Sequence, residues 1–221
     1  MIHGFRLSII RRELCHNGSM LTVAIQAGGR STRMGEDKAL KPFQGRPLIK
    51  RVVDRLKLIA DEMIITTNHP QDYAFLNLPL FTDILPDRGA LGGLYTALFS
   101  ARYPAVAVVA CDLPFVSPSL FQWSYDLINK EDWDVVIPES SEGLEPLHAL
   151  YRRDTCLSAI DSALAENKWK VISWFPQVRV KVLSPTEVEP FNKTGLVFWN
   201  LNTPEEFAQA EDYAGSEDSN N

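Results

Sequence analysis

The chain has 221 residues, of which 45% are hydrophobic and 23% are charged, and its formal net charge at pH 7 is −6. This composition is typical of a globular protein with a sizeable core, and it excludes a fibrous repeat and a wholly disordered chain. The negative net charge argues against a protein that binds nucleic acid through the phosphate backbone, because such proteins usually carry a basic surplus.

The cysteines and the hydropathy pattern indicate a cytoplasmic protein with no membrane partner. The cysteines Cys15, Cys111 and Cys156 are far apart and form no CxxC pair, as expected in a reducing compartment without a disulfide or zinc framework. No stretch approaches the roughly 18 apolar residues that a membrane span needs.

The ends of the chain differ in character from the rest. Residues 1–19 lack the cleavage pattern of a signal peptide, and we interpret them as a flexible extension or as a start assigned upstream of the true start at Met20. Residues 213–221 are polar and are expected to form a disordered tail. The sequence therefore predicts a single domain over residues 20–212.

The first predicted strand, residues 21–27, leads into a loop rich in glycine and positive charge. Glycines that accept a positive φ bring the backbone close to a ligand, and arginine and lysine side chains attract phosphate. The loop lacks the spacing of both a P-loop and a GxGxxG fingerprint. Its glycines are Gly28, Gly29 and Gly35, and its cations are Arg30, Arg33 and Lys38.

After this loop, apolar runs of strand length alternate with stretches of helix length. This order predicts an α/β fold, a three-layer sandwich with a mostly parallel sheet covered by helices. Ligands of such sheets bind beyond the carboxyl ends of the strands, at a topological switch point. The further predicted strands are 63–67, 80–82, 106–110, 134–137, 146–151 and 178–183; the predicted helices are 48–59, 91–101, 117–129, 152–167 and one that begins with a capping box of Thr203 and Glu206 around Pro204.

Polar residues lie at or just beyond the ends of four of the predicted strands, at Gln26, Asn68, Asp83 and Asp112. Asp112 has the hard oxygen donor that Mg²⁺ prefers, at the end of a buried strand, although an aspartate there also caps helices. For Asn68 and Asp83 the alternative is a turn closed by hydrogen bonds from side chain to backbone.

The segment 27–38, AGGRSTRMGEDK, resembles the loop of the molybdenum-cofactor guanylyltransferase (MobA) family. The resemblance extends from residue 21 to about residue 211. It implies a Rossmann-like α/β fold and a Mg²⁺-dependent transfer of GMP from GTP to molybdopterin, with or without molybdenum, with release of pyrophosphate. It also implies apo-molybdoenzymes or cofactor-delivery proteins as further partners. The other matching segments are 45–48 (GRPL), 89–93 (GALGG), 111–115 (CDLPF), 145–147 (EPL) and 200–205 (NLNTPE).

The resemblance also implies roles for individual residues. Lys38 is expected to contact the nucleotide phosphates, with Arg33 beside it on grounds of charge and position, and Asp112 to hold the metal. Asn200 and Asn202 are expected near the molybdopterin phosphate or the metal. Glu145, placed with His148 on a strand, is a candidate for the acceptor side. The expected nucleotide-binding residues are Gln26, Ala27, Gly28, Gly29, Lys38, Asn68, Asp83, Gly89, Leu91, Gly92 and Asp112.

Two other classes of function stay open on the sequence. One is a related enzyme that transfers CMP from CTP to the same cofactor, or a nucleotide to a sugar phosphate; the other is a non-catalytic carrier of nucleotide or cofactor. Gln26 stands where the family usually has leucine. We therefore expect any difference between this chain and its relatives to concern the choice of nucleotide base.

Overall fold

The fold is built around one central sheet in a computed structural model that describes residues 20–27, 37–86 and 88–218. Ten strands and six α-helices lie in these ranges. The strands are β1 Leu21–Gln26, β2 Pro42–Phe43, β3 Arg46–Pro47, β4 Glu62–Thr66, β5 Leu80–Phe81, β6 Ala105–Ala110, β7 Val135–Ser140, β8 Gly143–Leu144, β9 His148–Arg152 and β10 Val180–Leu183. The helices are α1 Leu48–Leu56, α2 Gly89–Ser100, α3 Pro118–Lys130, α4 Arg153–Ala165, α5 Pro185–Val188 and α6 Pro204–Asp218.

The strand order of the sheet is β10-β7-β9-β6-β1-β4-β5, with β8 paired to β7 and with β2 and β3 forming a separate hairpin. Strands β6, β1, β4 and β5 are parallel neighbours, and so are β10 and β7, which confirms the predicted α/β fold. Strand β9 runs antiparallel to both β6 and β7. The segment between β7 and β9 is too short for a crossover helix, so the chain must turn back as a hairpin.

The direction of chain progression reverses at β1. The chain moves from β1 outward to β4 and β5, and then crosses to β6 on the other side of β1. This arrangement places a topological switch point between β1 and β6, where α/β proteins bind their ligands.

Helices cover both faces of the sheet because alternate side chains of the buried strands point to opposite sides. On one face, Val23 and Ile25 of β1 pack in a cluster with residues of α1 and α3. On the other face, Ala24 packs in a cluster with residues of α2 and α4. The structure therefore confirms the three layers.

The last helix continues beyond the predicted domain end. Helix α6 reaches Asp218, so the prediction of a disordered tail is wrong for residues 213–218. Phe207, Ala210 and Ala214 are buried at helical spacing against Phe43 and Leu48, and this apolar contact outweighs the polar composition of the final turn. The calls on residues 1–19 and 219–221 lie outside the described residues.

None of the helices in the described part of the chain is long and apolar enough to cross a membrane.

Candidate active site

The carboxyl ends of β1, β4 and β6 are joined directly by backbone hydrogen bonds. The amide of Ala27 donates to the carbonyl of Thr66 at 2.8 Å, and the amide of Cys111 donates to the carbonyl of Gln26 at 3.2 Å. These bonds hold the loops that follow the three strands at one edge of the sheet. The amide of Ala27 is thereby occupied by the backbone of β4.

A lysine, an aspartate and an asparagine meet at the switch point. The ammonium group of Lys38 donates a hydrogen bond to Oδ1 of Asn202 at 2.8 Å. The amide of Leu201 donates to the carbonyl of Asp112 at 3.2 Å, so the segment that carries Asn202 lies against the end of β6. Three residues that the sequence singled out are thus brought together.

The carboxyl group of Asp112 is only partly exposed to solvent. Burial raises its pKa above the usual value, whereas a hydrogen bond from its own backbone amide and the positive charge of Lys38 lower it. A desolvated carboxylate interacts strongly with any cation that approaches it, because the surrounding dielectric is low.

Lys38 is positioned by two residues to which the sequence analysis gave no role. Asp37 caps the 3-10 turn of Lys38–Leu40, and its carboxylate accepts a hydrogen bond from the amide of Ala39 at 3.0 Å. The other oxygen of Asp37 accepts a hydrogen bond from the hydroxyl group of the buried Tyr73. Asp37 was visible within the matching motif, whereas nothing in the local sequence pointed to Tyr73, 36 residues away.

Asn202 is positioned by the start of α6. The carboxylate of Glu206 accepts hydrogen bonds from the amides of Asn202 and Thr203, and the hydroxyl group of Thr203 accepts one from the amide of Glu206 at 3.2 Å. This reciprocal pair is the capping box that the sequence predicted. The side-chain amide of Asn202 also donates to the carbonyl of Asn200 at 3.1 Å, so Asn200 supports its neighbour through the backbone.

Asn68 and Asp83 bond to each other across the ends of β4 and β5. The side-chain amide of Asn68 donates to the carboxylate of Asp83 at 3.0 Å, and the amide of Asp83 donates to the side-chain oxygen of Asn68 at 3.2 Å. These two bonds hold the carboxylate of Asp83 at the carboxyl edge of the sheet, where the loops after β1, β4 and β6 also lie.

Gln26 turns its side chain toward helix α2 and packs against Gly93. A Cβ atom at position 93 would lie 2.1 Å from Nε2 of Gln26, so glycine is required there for this packing. The side-chain oxygen of Gln26 is buried and has no hydrogen-bond partner among the described residues, and the same holds for the hydroxyl group of Thr66, its neighbour in register on β4. Two adjacent buried polar groups thus have capacity for a ligand or a water molecule.

The remaining predicted contacts on this side divide into three groups. A Cβ at Gly92 would lie 2.6 Å from the carbonyl oxygen of Leu85, so Gly92 permits close packing of the loop that carries Asp83. The side chain of Leu91 is buried in the hydrophobic core, and Gly89 begins α2 with a φ of +54°. The predicted contacts Gly28, Gly29 and Arg33 lie outside the described residues.

The predicted acceptor side lies across β6 from Asn68 and Asp83. Glu145 precedes strand β9 rather than lying on it: its amide donates to the carbonyl of Pro138 on β7, and its carbonyl accepts a hydrogen bond from the amide of His148 in the turn that leads into β9. His148 does lie on β9, where it is buried between aromatic rings, and burial lowers its pKa to about 4.

Comparison with known proteins places this arrangement in a family. Residues 23–179 match the MobA-like NTP transferase domain. The chain is also 36% identical over 192 residues to a molybdenum cofactor guanylyltransferase from Desulfosudis oleivorans, which covers 86% of this chain and 94% of that protein. The chain belongs to the MobA-like NTP transferase family. It is similarly 36% identical to a probable molybdenum cofactor guanylyltransferase from Pelotomaculum thermopropionicum, over 86% of this chain and 91% of that one.

A solved structure agrees with this fold. The crystal structure of molybdopterin-guanine dinucleotide biosynthesis protein A from Archaeoglobus fulgidus matches with a TM-score of 0.75 at 23% identity, over 88% of this chain and 99% of that chain. As a member of the MobA-like NTP transferase family, the protein is a nucleotidyltransferase, and the switch point between β1 and β6 is its candidate active site.

The donor set of this MobA-like transferase fits a hard divalent cation bound mainly by substrate. No cluster of three or more His, Cys, Asp or Glu side chains with the arrangement of a metal site occurs in the described ranges. The partly buried carboxylate of Asp112 offers an oxygen ligand, and a phosphate-bound Mg²⁺ usually takes only one or two ligands from protein.

Proposed function

We propose that the protein transfers GMP from GTP to molybdopterin, with or without bound molybdenum, and releases pyrophosphate. The observation that carries the proposal is that chains named molybdenum cofactor guanylyltransferase match most of this chain, while Lys38, Asp112 and Asn202 converge at the switch point. The product is the dinucleotide in which GMP and molybdopterin share a pyrophosphate linkage.

In this reaction the terminal phosphate of molybdopterin attacks the α-phosphorus of GTP, and the bond from that phosphorus to the oxygen bridging to the β-phosphate breaks. Lys38 offsets the negative charge that moves toward the leaving pyrophosphate, and Arg33 is proposed to assist it. The attacking phosphate is already ionised at pH 7, so the reaction needs orientation rather than a general base.

Asp112 is the proposed ligand of Mg²⁺, which would neutralise charge on the phosphates when bound. Asn202 fixes the ammonium group of Lys38 through the 2.8 Å hydrogen bond and lies beside the Asp112 segment. The charge of Lys38 is thereby held in position before the substrate binds.

The guanine base is proposed to lie on the side of β4 and β5. Its N1–H and N2–H₂ groups need acceptors, and among the described residues Asp83 and the unpartnered oxygen of Gln26 supply acceptors at that edge. The backbone of the glycine-rich segments, including Gly28, Gly29, Gly89 and Gly92, is proposed to approach the nucleotide closely. The acceptor substrate then occupies the side of Asn200, Asn202 and Glu145.

The test is pyrophosphate release by the full chain with molybdopterin and Mg²⁺ and each of GTP, CTP, ATP and UTP in turn. We expect release with GTP and little with the others. A preference for CTP would replace the proposal by cytidylyl transfer, and GTP binding without turnover would indicate a carrier. Activity with a sugar phosphate in place of molybdopterin would contradict the proposed acceptor.

A further inference from the structure

Residues 113–117, in the loop that joins β6 to α3, are all buried. The backbone carbonyls of a buried loop need hydrogen-bond partners, because an unpaired acceptor out of water destabilises the fold. Two of these carbonyls are paired by arginine side chains of α1. Nε of Arg51 donates to the carbonyl of Pro114 at 3.1 Å, and Nε of Arg55 donates to the carbonyl of Val116 at 2.9 Å. Helix α1 thus fastens the loop that follows the proposed metal ligand.

Arg51 also contacts the hairpin of β2 and β3. Its guanidinium carbon lies 5.4 Å from the centroid of the Phe43 ring, in the hairpin, and 5.6 Å from that of the Phe115 ring, in the loop. Both distances are within the range of a cation–π interaction. Nη1 of Arg51 donates to the side-chain oxygen of Gln44, at the turn of the hairpin, at 3.3 Å. One side chain therefore joins the loop to the hairpin.

The turn of the hairpin is fastened to helix α6. The backbone amide of Gln44 donates to the carboxylate of Glu211, and its side-chain amide donates to the carbonyl of Glu211 at 3.4 Å. Gln44 has a φ of +49°, which residues other than glycine rarely adopt, and such a conformation persists only where the surrounding contacts fix it. Glu211 lies in α6, the helix whose first turn holds Asn202 against Lys38.

These contacts form a continuous path between the two charged groups of the candidate active site. We propose that Arg51 is a positioning residue that sets the carboxylate of Asp112 relative to the ammonium group of Lys38, an inference that rests on the proposed function. Arg51 acts through the loop on one side and through the hairpin and α6 on the other. The path runs through Asp112, Pro114, Arg51, Gln44, Glu211, Glu206, Asn202 and Lys38.

The position requires an arginine because its planar guanidinium group serves several partners at once. Arg51 donates in two directions and also faces two aromatic rings, whereas the ammonium group of a lysine is a compact, strongly hydrated charge. An Arg51→Lys substitution therefore keeps the charge and loses the geometry. A metal that takes few ligands from protein depends strongly on how its carboxylate is held, so the loss should be felt at Asp112.

The first test is a Mg²⁺ titration of pyrophosphate release by the full-length Arg51→Lys variant. We expect the Mg²⁺ concentration that gives half-maximal rate to rise by about 10- to 100-fold, the range seen when the support of a metal ligand is lost. A variant that is merely less folded has a lower rate but the same Mg²⁺ requirement. An unchanged requirement would overturn the inference.

The matched control is Arg102→Lys. Arg102 is exposed and lies over the ring of Tyr103 at 5.6 Å, but it precedes β6 and is therefore at the amino end of the strand, away from the site. We expect this variant to keep the wild-type Mg²⁺ requirement. A rise equal to that of Arg51→Lys would show a general effect of arginine replacement and would overturn the inference.

The second test examines the path through the hairpin with Glu211→Ala, which leaves Arg51 in place and is informative even where Arg51→Lys fails to fold. We expect a several-fold rise in the Mg²⁺ requirement. The double variant should need little more Mg²⁺ than Arg51→Lys alone, because residues that act through one path have non-additive effects. A wild-type requirement in Glu211→Ala, or additive effects in the double variant, would overturn the inference.

A third measurement does not depend on turnover. Calorimetric titration with GTP, in the presence and absence of Mg²⁺, should show that Mg²⁺ strengthens binding to the wild-type protein and that this gain is about 10-fold smaller in Arg51→Lys. Equal gains in the two proteins would overturn the inference. Binding of GTP with Mg²⁺ by the wild-type protein, but no turnover when molybdopterin is added, would refute the proposed function alone.

Discussion

At the scale of single residues, the site depends on a partly buried carboxyl group. Burial raises the pKa of the Asp112 carboxyl, and the nearby ammonium group of Lys38 opposes that shift. A group held in this environment gains more from a bound cation than it would in water. The two residues are separated by most of the first half of the domain, so their charges act together only in the folded chain.

The Asp112→Asn substitution keeps the size of the side chain and removes its charge. We expect kcat for pyrophosphate release to fall by about 10²–10³-fold, in the range seen when a group that stabilises a transition state is lost. The thermal midpoint of unfolding, measured in parallel, checks that the variant is folded. Wild-type turnover in a folded variant would contradict the assignment of Asp112 as the metal ligand.

Replacing Gln26 is expected to raise the stability of the nucleotide-free protein and to lower the further stabilisation that GTP provides. Its buried oxygen lacks a partner among the described residues, and leucine has a similar volume without the polar group. We therefore expect Gln26→Leu to stabilise the nucleotide-free protein by about 1–2 kcal/mol. If the oxygen contacts the base, the rise in melting temperature produced by Mg²⁺ and GTP becomes smaller in the variant.

Both readouts come from thermal unfolding with and without nucleotide. An equal or larger rise with GTP in the variant would show that Gln26 does not contact the nucleotide.

At the scale of elements, the first turn of α6 contributes to the site as well as to the fold. The Glu206 carboxylate caps the helix and holds the backbone amide of Asn202, whose side chain bonds to Lys38. The helix also packs Phe207, Ala210 and Ala214 against the hairpin of β2 and β3 and against α1. One element thus connects the core to the ammonium group of Lys38.

Glu206→Ala removes the acceptor from this capping box. The loss of a cap costs about 1 kcal/mol, so the free energy of unfolding falls by that amount. We also expect kcat/KM for GTP to fall several-fold, because Asn202 no longer fixes Lys38. Glu205→Ala, at the exposed neighbouring position, removes an equal charge from the same turn and serves as control. Equal kinetics for the two variants would contradict the link from the cap to Lys38.

At the scale of the whole molecule, the core contains a histidine that stays neutral. His148 is buried between the rings of Phe121, stacked at 4.4 Å, and Phe198, edge to face at 5.1 Å. Burial lowers its pKa to about 4, and neither ring nitrogen has a partner among the described residues. The unfolded chain, with an ordinary histidine pKa of about 6.5, therefore binds a proton at a higher pH than the folded chain does.

This difference predicts acid sensitivity. The contribution of His148 is fully present above pH 6.5 and is lost as the pH falls to about 4, with a total cost of about 3 kcal/mol. Urea unfolding at several pH values between 7 and 4 should show that His148→Leu loses less stability over this range than the wild-type protein. Parallel pH dependences would indicate that the histidine is not neutral in the folded state.

The sequence by itself determined the long strands and helices and most of the residues at the edge of the sheet, but not the short strands β2, β3 and β8 or the helix α5. Apolar runs, turn residues and the capping box of α6 are local patterns, and polar residues that follow parallel strands must converge. The direction of β9 follows from a connection to β7 that is too short for a crossover helix. The end of α6 follows from the burial of Phe207, Ala210 and Ala214, which extends the helix into a polar part of the sequence.

Only the tertiary structure decided which groups meet. Lys38 and Asn202 are 164 residues apart, and Tyr73 reaches Asp37 from another element. The sequence identified Gln26 as unusual, but its buried, unpartnered oxygen follows from the close approach of Gly93 on α2. Such contacts join segments that are distant along the chain, and they depend on packing that no local pattern records.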